Sequence, residues 1–310
     1  MDIRDYTPGD EIKITELFES VFGKPMSVEY WNWRFKNNPS HKYAIKLMWD
    51  DQTLVGHYAV SPVVLDIDHT QQLTGLSMTT MTHSSYTGLG VFQQLAESLY
   101  KDMQTRHGMV AVWGFPNNNS HRGFIKNLSW KDVGVLPMMT CDITLLSPKL
   151  SDTVTTITAF NETHHQAQIS FFDDYRVKVR KDSGYLNWRY VDNPVNKYTI
   201  WDINDGVDGY VVVKEFGVSG KKQLDIIEWC VAKNERITKS VLQHLAGSYT
   251  DGYQQLNIWM PLHDERHLYF EKLGFINNLP VTYMGIRSFQ LPDMEQDKNW
   301  WIQMGDSDVY

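Results

Sequence analysis

One phrase occurs twice in this chain, and the distance between its copies constrains the fold more than any other feature. "YWNWRFKNNPSHKY" begins at Tyr30 and "YLNWRYVDNPVNKY" at Tyr185, and eight of the fourteen positions are identical. Solenoid and propeller repeats recur every ~20–50 residues. A spacing of 155 residues is instead the length of a domain, typically ~100–150 residues. The 310 residues therefore read as a duplicated domain, each half long enough to enclose its own core. The polar stretch "SPKLSD" at 147–152, with its Pro, marks the boundary and gives expected domains 1–146 and 147–310.

Charge and cysteine usage narrow the class. Residues 1–145 carry 12 basic and 15 acidic side chains and residues 146–310 carry 17 and 22, for a net charge of −8. Neither half has the basic stripe that phosphate backbones require, so no nucleic acid is expected as a partner. The charged start "MDIRDYTPGDE" has no apolar signal-peptide core, and no run reaches the ~18–20 apolar residues of a membrane span. The expectation is a cytoplasmic protein without a membrane span. Cys141 and Cys230 stand in no metal-ligand spacing and read as reduced core thiols; no metal is expected. Eleven Trp and sixteen Tyr either fill large cores or line a cleft that stacks on planar ligand groups.

The periodicities predict an α+β fold. In the first half a short strand "DIRDY" precedes a helix with Asp10 as its cap, an apolar face of Ile12, Ile14, Leu17, Phe18, Val21 and Phe22, and Gly23 as its stop. The repeated phrase forms a second short helix that ends before Pro39, because a residue preceding Pro avoids helical angles. Two strands joined by "DDQT" follow, then a long strand "QLTGLSMTTMTH", a helix from Val91, a strand "MVAVWGF", a turn and short helix, and a strand pair "VLPMMTCDITLL". The second half repeats this order and ends on the helix "HLYFEKLGF".

Two stretches carry chemistry. In "SSYTGLGVF", Gly88 and Gly90 stand between a long strand and an amphipathic helix. Glycines there let backbone N–H groups close on an anion, and a helix N-terminus adds partial positive charge. A pyrophosphate suits such a loop; a plain glycine turn is the bland alternative. The loop lacks the third glycine of a dinucleotide-binding fingerprint and the GK[ST] of a P-loop. In "WGFPNNNSHRGF", Asn117, Ser120 and Phe124 follow the next strand at helical spacing. They can hydrogen-bond an amide-rich ligand or simply cap the turn.

Together these stretches resemble the GNAT acyltransferase superfamily over nearly the whole first half. Ser85-Tyr86-Thr87-Gly88-Leu89-Gly90 is similar to its motif A and Asn117-x-x-Ser120-x-x-x-Phe124 to its motif B. The resemblance implies two tandem GNAT-like domains, each a mixed, mostly antiparallel twisted sheet flanked by helices. It implies acyl-coenzyme A as donor, the pyrophosphate on the motif A amides and the pantetheine arm in a V-shaped gap between the fourth and fifth strands. The implied cofactor-binding residues are Met81, Thr82, Tyr86, Thr87, Gly88, Leu89, Gly90 and Val91, with Asn117, Ser120 and Phe124 alongside. Ser85 replaces the basic residue that opens motif A, which weakens phosphate binding without abolishing it. In the second half Ile237-Thr238-Lys239-Ser240 stands opposite Thr87–Gly90. The glycines are gone, so one coenzyme A site per chain is expected, with the second domain walling the acceptor cleft.

Tandem chains with this WR…NP phrase resemble enzymes that acylate nucleotide-linked amino sugars for bacterial surface polysaccharides. One branch moves an acetyl or 3-hydroxybutanoyl group to a dTDP-linked 3-amino-3,6-dideoxyhexose, which makes a nucleotide-linked amino sugar the expected partner. Tyr30, Trp33 and Arg34 then border the acceptor side, although survival of Trp188 and Arg189 in the degenerate copy also suits a structural role. Asp306 and Asp308, in a tail that Trp300 and Trp301 fold back, are candidates to touch the acceptor. The long strand carries no carboxylate, which leaves His83 as the nearest base; His57 and His121 are others. Phe124 replaces the usual acid, a Tyr, which leaves Tyr86 as a candidate hydroxyl. An aminoacyl transferase of peptidoglycan cross-linking and a non-catalytic coenzyme A sensor are the competing readings.

Overall fold

The computed structural model describes residues 1–218, 221–250 and 252–310, and the chain divides into two compact units. The first comprises Met1–Gly134 and Tyr283–Asp297, the second Val135–Thr282 and Lys298–Tyr310. The division thus falls earlier than the expected 146/147, and a late segment returns to the first unit.

In chain order the elements are β1 (Asp2–Asp5), α1 (Glu11–Phe22), α2 (Val28–Trp31), β2 (Ala44–Asp50), β3 (Thr53–Ile67), β4 (Thr70–Thr82), α3 (Val91–Thr105), β5 (Ala111–Gly114), α4 (His121–Asn127) and β6 (Lys131–Asp142). There follow β7 (Val154–Ile157), α5 (Glu162–Phe171), β8 (Val177–Val179), α6 (Ser183–Leu186), β9 (Thr199–Ile203), β10 (Gly209–Val218), β11 (Lys221–Val231), α7 (Glu235–Ser248), β12 (Tyr253–Trp259), α8 (Glu265–Lys272), β13 (Ile276–Ser288) and β14 (Trp300–Trp301). The α+β expectation holds: the sheets are mixed and flanked by helices. Among the described residues no helix is long and apolar enough to cross a membrane.

Each unit builds its sheet in the same order and completes it in the same way. The first runs β1-β2-β3-β4-β5 and closes with the C-terminal part of β13, antiparallel to β5 from Gly285↔Gly114 to Ser288↔Ala111. The second runs β7-β9-β10-β11-β12 and closes with the C-terminal part of β6, antiparallel to β12 from Met138↔Trp259 to Asp142↔Gln255. The β4–β5 and β11–β12 pairs are parallel. The expected strand pair at "VLPMMTCDITLL" is therefore one strand, β6. β13 follows the last expected element, the helix "HLYFEKLGF"; its Asn277, Asn278 and Pro280 mask the strand pattern.

The first unit's sheet is buried on both faces, by alternation along its strands. Tyr58 and Val60 of β3 pack with Val91, Leu95, Leu99 and Met103 of α3. Ala59, between them in sequence, faces Ile14 and Leu17 of α1 and Trp31 of α2. The predicted face of α1 is narrower than expected, since Ile12 is 60% and Phe22 45% exposed. Asp10 does not cap α1 with its side chain. Its carboxylate is drawn back onto Arg4, at 2.7 and 2.8 Å, and the Thr7 amide, at 2.8 Å.

The repeated phrase encodes a repeated backbone device. Ser27 caps α2 and Asp182 caps α6, through the amides of Tyr30 and Tyr185. Each helix then widens by one residue per turn: Asn37 N–H donates to Asn32 C=O and Asp192 N–H to Asn187 C=O, both at 2.9 Å. Such five-residue closures are rare single-turn features. Buried Asn38 and Asn193 then tie the turn that contains the Pro, accepting from Ser40 N–H and from Val195 and Asn196 N–H. We predict that the fragment 1–146, which lacks residues 285–288, leaves β5 with an unpaired edge and aggregates. Gel filtration and circular dichroism check this; a cooperatively unfolding monomer would contradict it.

Candidate functional site

The gap begins where β4 and β5 part. They pair at Gly75↔Val112 and Leu76↔Trp113. β4 continues to Thr82 while β5 stops at Gly114. Just beyond the parting β4 bulges against β3: His57 opposes Met81 and Ala59 opposes Met78, so Thr79 and Thr80 together face Tyr58. Thr79 has φ of +50°, a β-branched residue in the left-handed region, which costs roughly 1–3 kcal/mol.

The glycine loop caps the same strand. A short turn at Ser84–Tyr86 leads to extended Thr87, then to Gly88 at φ 83° and Gly90 at φ 77°, and α3 starts at Val91. Both glycines occupy the region that L side chains resist. A Cβ on Gly88 would meet nothing within 4 Å, so the loop is open as well as glycine-dependent. Gly90, as N-cap, offers no side chain to the first-turn amides of α3, which lack intrahelical acceptors. Thr87 to Gly90 are exposed, while the Val91 and Met81 side chains are buried and present backbone only.

The corresponding end of α7 is built differently. Asn234 Oδ1 accepts from the amides of Arg236, at 2.9 Å, and Ile237, at 3.3 Å. Lys233, Arg236 and Lys239 line an open groove there, but the helix-end amides already have an acceptor.

The other expected residues are distributed as follows. Asn117 Oδ1 accepts from Asn119 N–H, Ser120 N–H and Ser120 Oγ–H, at 3.0, 3.0 and 3.1 Å, so these side chains hold their own turn. Phe124 lies in the core, its ring 5.1 Å from Phe92 and 4.5 Å from Trp130. Tyr86 donates its hydroxyl to Asp50 Oδ2 at 2.7 Å, and that bond raises the phenol's pKa. His83 Nδ1 accepts from Ser85 N–H at 3.3 Å. His83 borders a groove of about 250 Å3 with Lys13, Glu16, Leu17 and Ser20 of α1 and the β2–β3 turn. His121 pairs with Asp132 at 2.6 Å and stacks on Tyr283. Tyr30 is half-buried with its ring 5.2 Å from that of Trp33, which is buried. Arg34 is buried too, and its Nε donates to Met78 Sδ at 3.3 Å, beside the bulge.

Asp306 is enclosed by its own unit. It is buried in the second unit, 2.8 Å from Lys181 Nζ, and accepts from Gln303 N–H. Lys181 also grips both oxygens of Glu228, at 2.7 and 2.8 Å, and Tyr190 donates to the same carboxylate. Asp308 is half-buried. Trp301 stacks on Phe172 at 4.4 Å, so the tail does fold back.

Sequence reasoning missed two groups and named a third, His57, only as one of several possible bases. Glu228 stands at the second unit's own bulge, where the β10–β11 register shifts beside it. The strand that lacks a carboxylate in the first unit carries Asp225 and Glu228 in the second, and the tail seals Glu228: a Cβ on Gly305 would run into Tyr190 and Glu228. Ser77, Tyr58, Tyr100 and Trp130 form a buried hydrogen-bonded chain, at 2.9, 2.6 and 2.9 Å, from the mouth of the gap into the core. His57 is fully buried with Nδ1 2.7 Å from Thr79 C=O, and burial pushes its pKa down to about 4. An alternation pattern marks none of these, because each depends on a register or a fold-back.

Residues 2–131 match the family described as Acetyltransferase (GNAT) domain. No curated protein matches the sequence. The fold is similar to that of a GCN5-related N-acetyltransferase from Anabaena variabilis, with 10% identity over 93% of this chain and 73% of that one and a TM-score of 0.74. It is similar to a GCN5-related N-acetyltransferase from Kribbella flavida, with 14% identity, 94% and 72% coverage and a TM-score of 0.72. It is also similar to Eis1 from Mycobacterium abscessus, with 12% identity, 93% and 74% coverage and a TM-score of 0.63. The segment 2–131 is thus similar to a GNAT acetyltransferase domain, a match that supports an acyl-CoA-dependent N-acyltransferase.

The neutral burial of His57 has a pH signature. Its folded pKa, about 4, lies below the ~6.5 of an unfolded histidine, so the unfolded state binds the extra proton between these values. Stability is complete above pH 6.5 and falls as pH drops through 6.5 toward 4, by roughly 3 kcal/mol in all. We expect thermal unfolding of His57→Asn to depend less on pH in this window than wild type; parallel curves would contradict it.

Proposed function

We propose that the first unit binds acyl-coenzyme A, with the pyrophosphate on the amides of Gly88 to Val91, and passes the acyl group to the amine of a nucleotide-linked amino sugar. The observation that carries the donor half is the contrast between two equivalent helix ends. The end of α3 is glycine-bounded and, among the described residues, uncapped by any side chain, whereas Asn234 already occupies the amides of α7. The donor's pantetheine arm fits where β4 has left β5, and Thr82, Tyr86 and Thr87 flank its path. Asn117 and Ser120 act from the far side of the gap by fixing the turn after β5.

The residues near the bulge suit amide formation. The amine nitrogen attacks the thioester carbon, the C–S bond breaks, and the thiolate takes up the proton that the amine loses. A β4 amide at the bulge steadies the developing oxyanion. For His83 Nε2 to accept the amine's proton, Nδ1 must carry hydrogen and give up its bond from Ser85. The Tyr86 proton is directed at Asp50. The proton therefore passes through solvent, which suffices for an amino-sugar amine that titrates near neutrality.

The sugar acceptor rests on the WR…NP phrase and on the absence of a basic stripe in the sequence. Tyr30, Trp33 and Arg34 border that side through packing rather than through an open surface. The acyl group expected is acetyl or 3-hydroxybutanoyl.

Calorimetry with coenzyme A is expected to give one site per chain. Gly88→Val, strained at positive φ, is expected to weaken binding about 10- to 100-fold, and Asn234→Ala to leave it unchanged. Two equivalent sites, or an unaffected Gly88→Val, would contradict this. Turnover of acetyl-CoA with a panel of dTDP-linked amino sugars and simple amines tests the acceptor, and a preference for simple amines would refute the sugar. His83→Ala is expected to leave the pH–rate profile in place; loss of its acidic limb would make His83 the base.

A further inference from the structure

We propose that His57 is a positioning residue for acyl transfer: it fixes the peptide between Thr79 and Thr80 so that the Thr80 N–H is aimed at the thioester oxygen. The inference rests on the reading that the thioester lies along β4 in the first unit.

Four observations converge on this peptide. Neither Thr79 nor Thr80 has a partner of its own in the β3 register, because both oppose Tyr58. Thr79 is held at φ +50°. The bulge begins three residues after the last β4–β5 pair, Leu76↔Trp113, so it stands at the mouth of the gap. The Thr79 C=O accepts a 2.7 Å hydrogen bond from His57 Nδ1. A carbonyl can only accept, so Nδ1 carries the hydrogen. In a trans peptide the C=O of one residue and the N–H of the next point in opposite directions. Anchoring the Thr79 C=O on His57 therefore turns the Thr80 N–H away from His57.

The chemistry of His57 argues that this bond is why a histidine is there. Its ring is fully buried and lies edge-on to Phe35, with centroids 6.4 Å apart, and among the described residues its Nε2 has no hydrogen-bond partner. A leucine or phenylalanine would fill such a space without burying an unpaired nitrogen. What an apolar side chain cannot supply is a donor for a carbonyl twisted out of its ladder. Buried and neutral, His57 cannot reach a substrate and acts through the backbone alone.

The test uses the whole protein with [1-13C]acetyl-CoA, reading affinity by calorimetry and the thioester C=O stretch by infrared difference spectroscopy. Wild type is expected to bind and to shift that stretch to lower frequency than in free acetyl-CoA. His57→Asn places an amide N–H near Nδ1 and is expected to keep the shift. His57→Leu is expected to bind acetyl-CoA as wild type does and to lose the shift; if it does not fold, His57→Gln, whose amide reaches the Nε2 position instead, takes its place. Wild-type binding without a shift, or a shift that survives in folded His57→Leu or His57→Gln, overturns the assignment. Failure of wild type to bind acetyl-CoA refutes the donor-site reading itself, a distinct outcome.

Discussion

β4 pairs with β5 at two positions and then loses it, and most of what makes the first unit a candidate enzyme depends on that loss. Backbone groups that a sheet would consume are left facing a gap. The strand must then satisfy or aim those groups by other means. It bulges at Thr79, leans on His57 for one carbonyl, and ends in a loop whose two positive-φ glycines open the amides of α3. A continuous β4–β5 ladder would leave neither room nor free donors for an extended thioester.

The duplication shows the same frame put to two uses. Each unit has the phrase with its widened helical turn, the bulged long strand, the following helix and a closing strand from elsewhere in the sequence. In the second unit each feature of the candidate site is closed. Asn234 takes the helix-end amides, and the tail covers Glu228 with Gly305, Gln303 and Asp306. The buried Lys181–Glu228–Asp306 cluster exchanges solvent for ion pairs and hydrogen bonds, an arrangement that tolerates removal of no single partner. Arg189, in the repeated phrase, donates to the Gly305 carbonyl and the Tyr198 hydroxyl. In that copy the phrase is part of the core and not of a substrate surface.

Local grammar in the sequence carried the architecture: the glycine loop between a long strand and an amphipathic helix, the paired Asn-Pro turns, and the alternation of β3. It did not carry what depends on distance along the chain. "MTTMT" reads as unbroken strand, because threonine favours strands whether or not the register slips. His57 is one histidine among eleven until the bulge places a carbonyl beside it. Asp306 looks like part of a solvated acidic end until Lys181, 125 residues earlier, is found against it. Phe124 follows the spacing of a ligand-facing position, yet its ring lies with Phe92 and Trp130, because α4 presents that side to the core.

The central claim is that one loop, in one unit, holds the donor's diphosphate on main-chain N–H groups. A crystal structure of the protein with coenzyme A tests it most directly. The account predicts the diphosphate oxygens within hydrogen-bonding distance of the amides at Gly88, Gly90 and Val91, with the pantetheine arm entering between β4 and β5. Density for the diphosphate at the end of α7, or a pantetheine arm outside that gap, would contradict it.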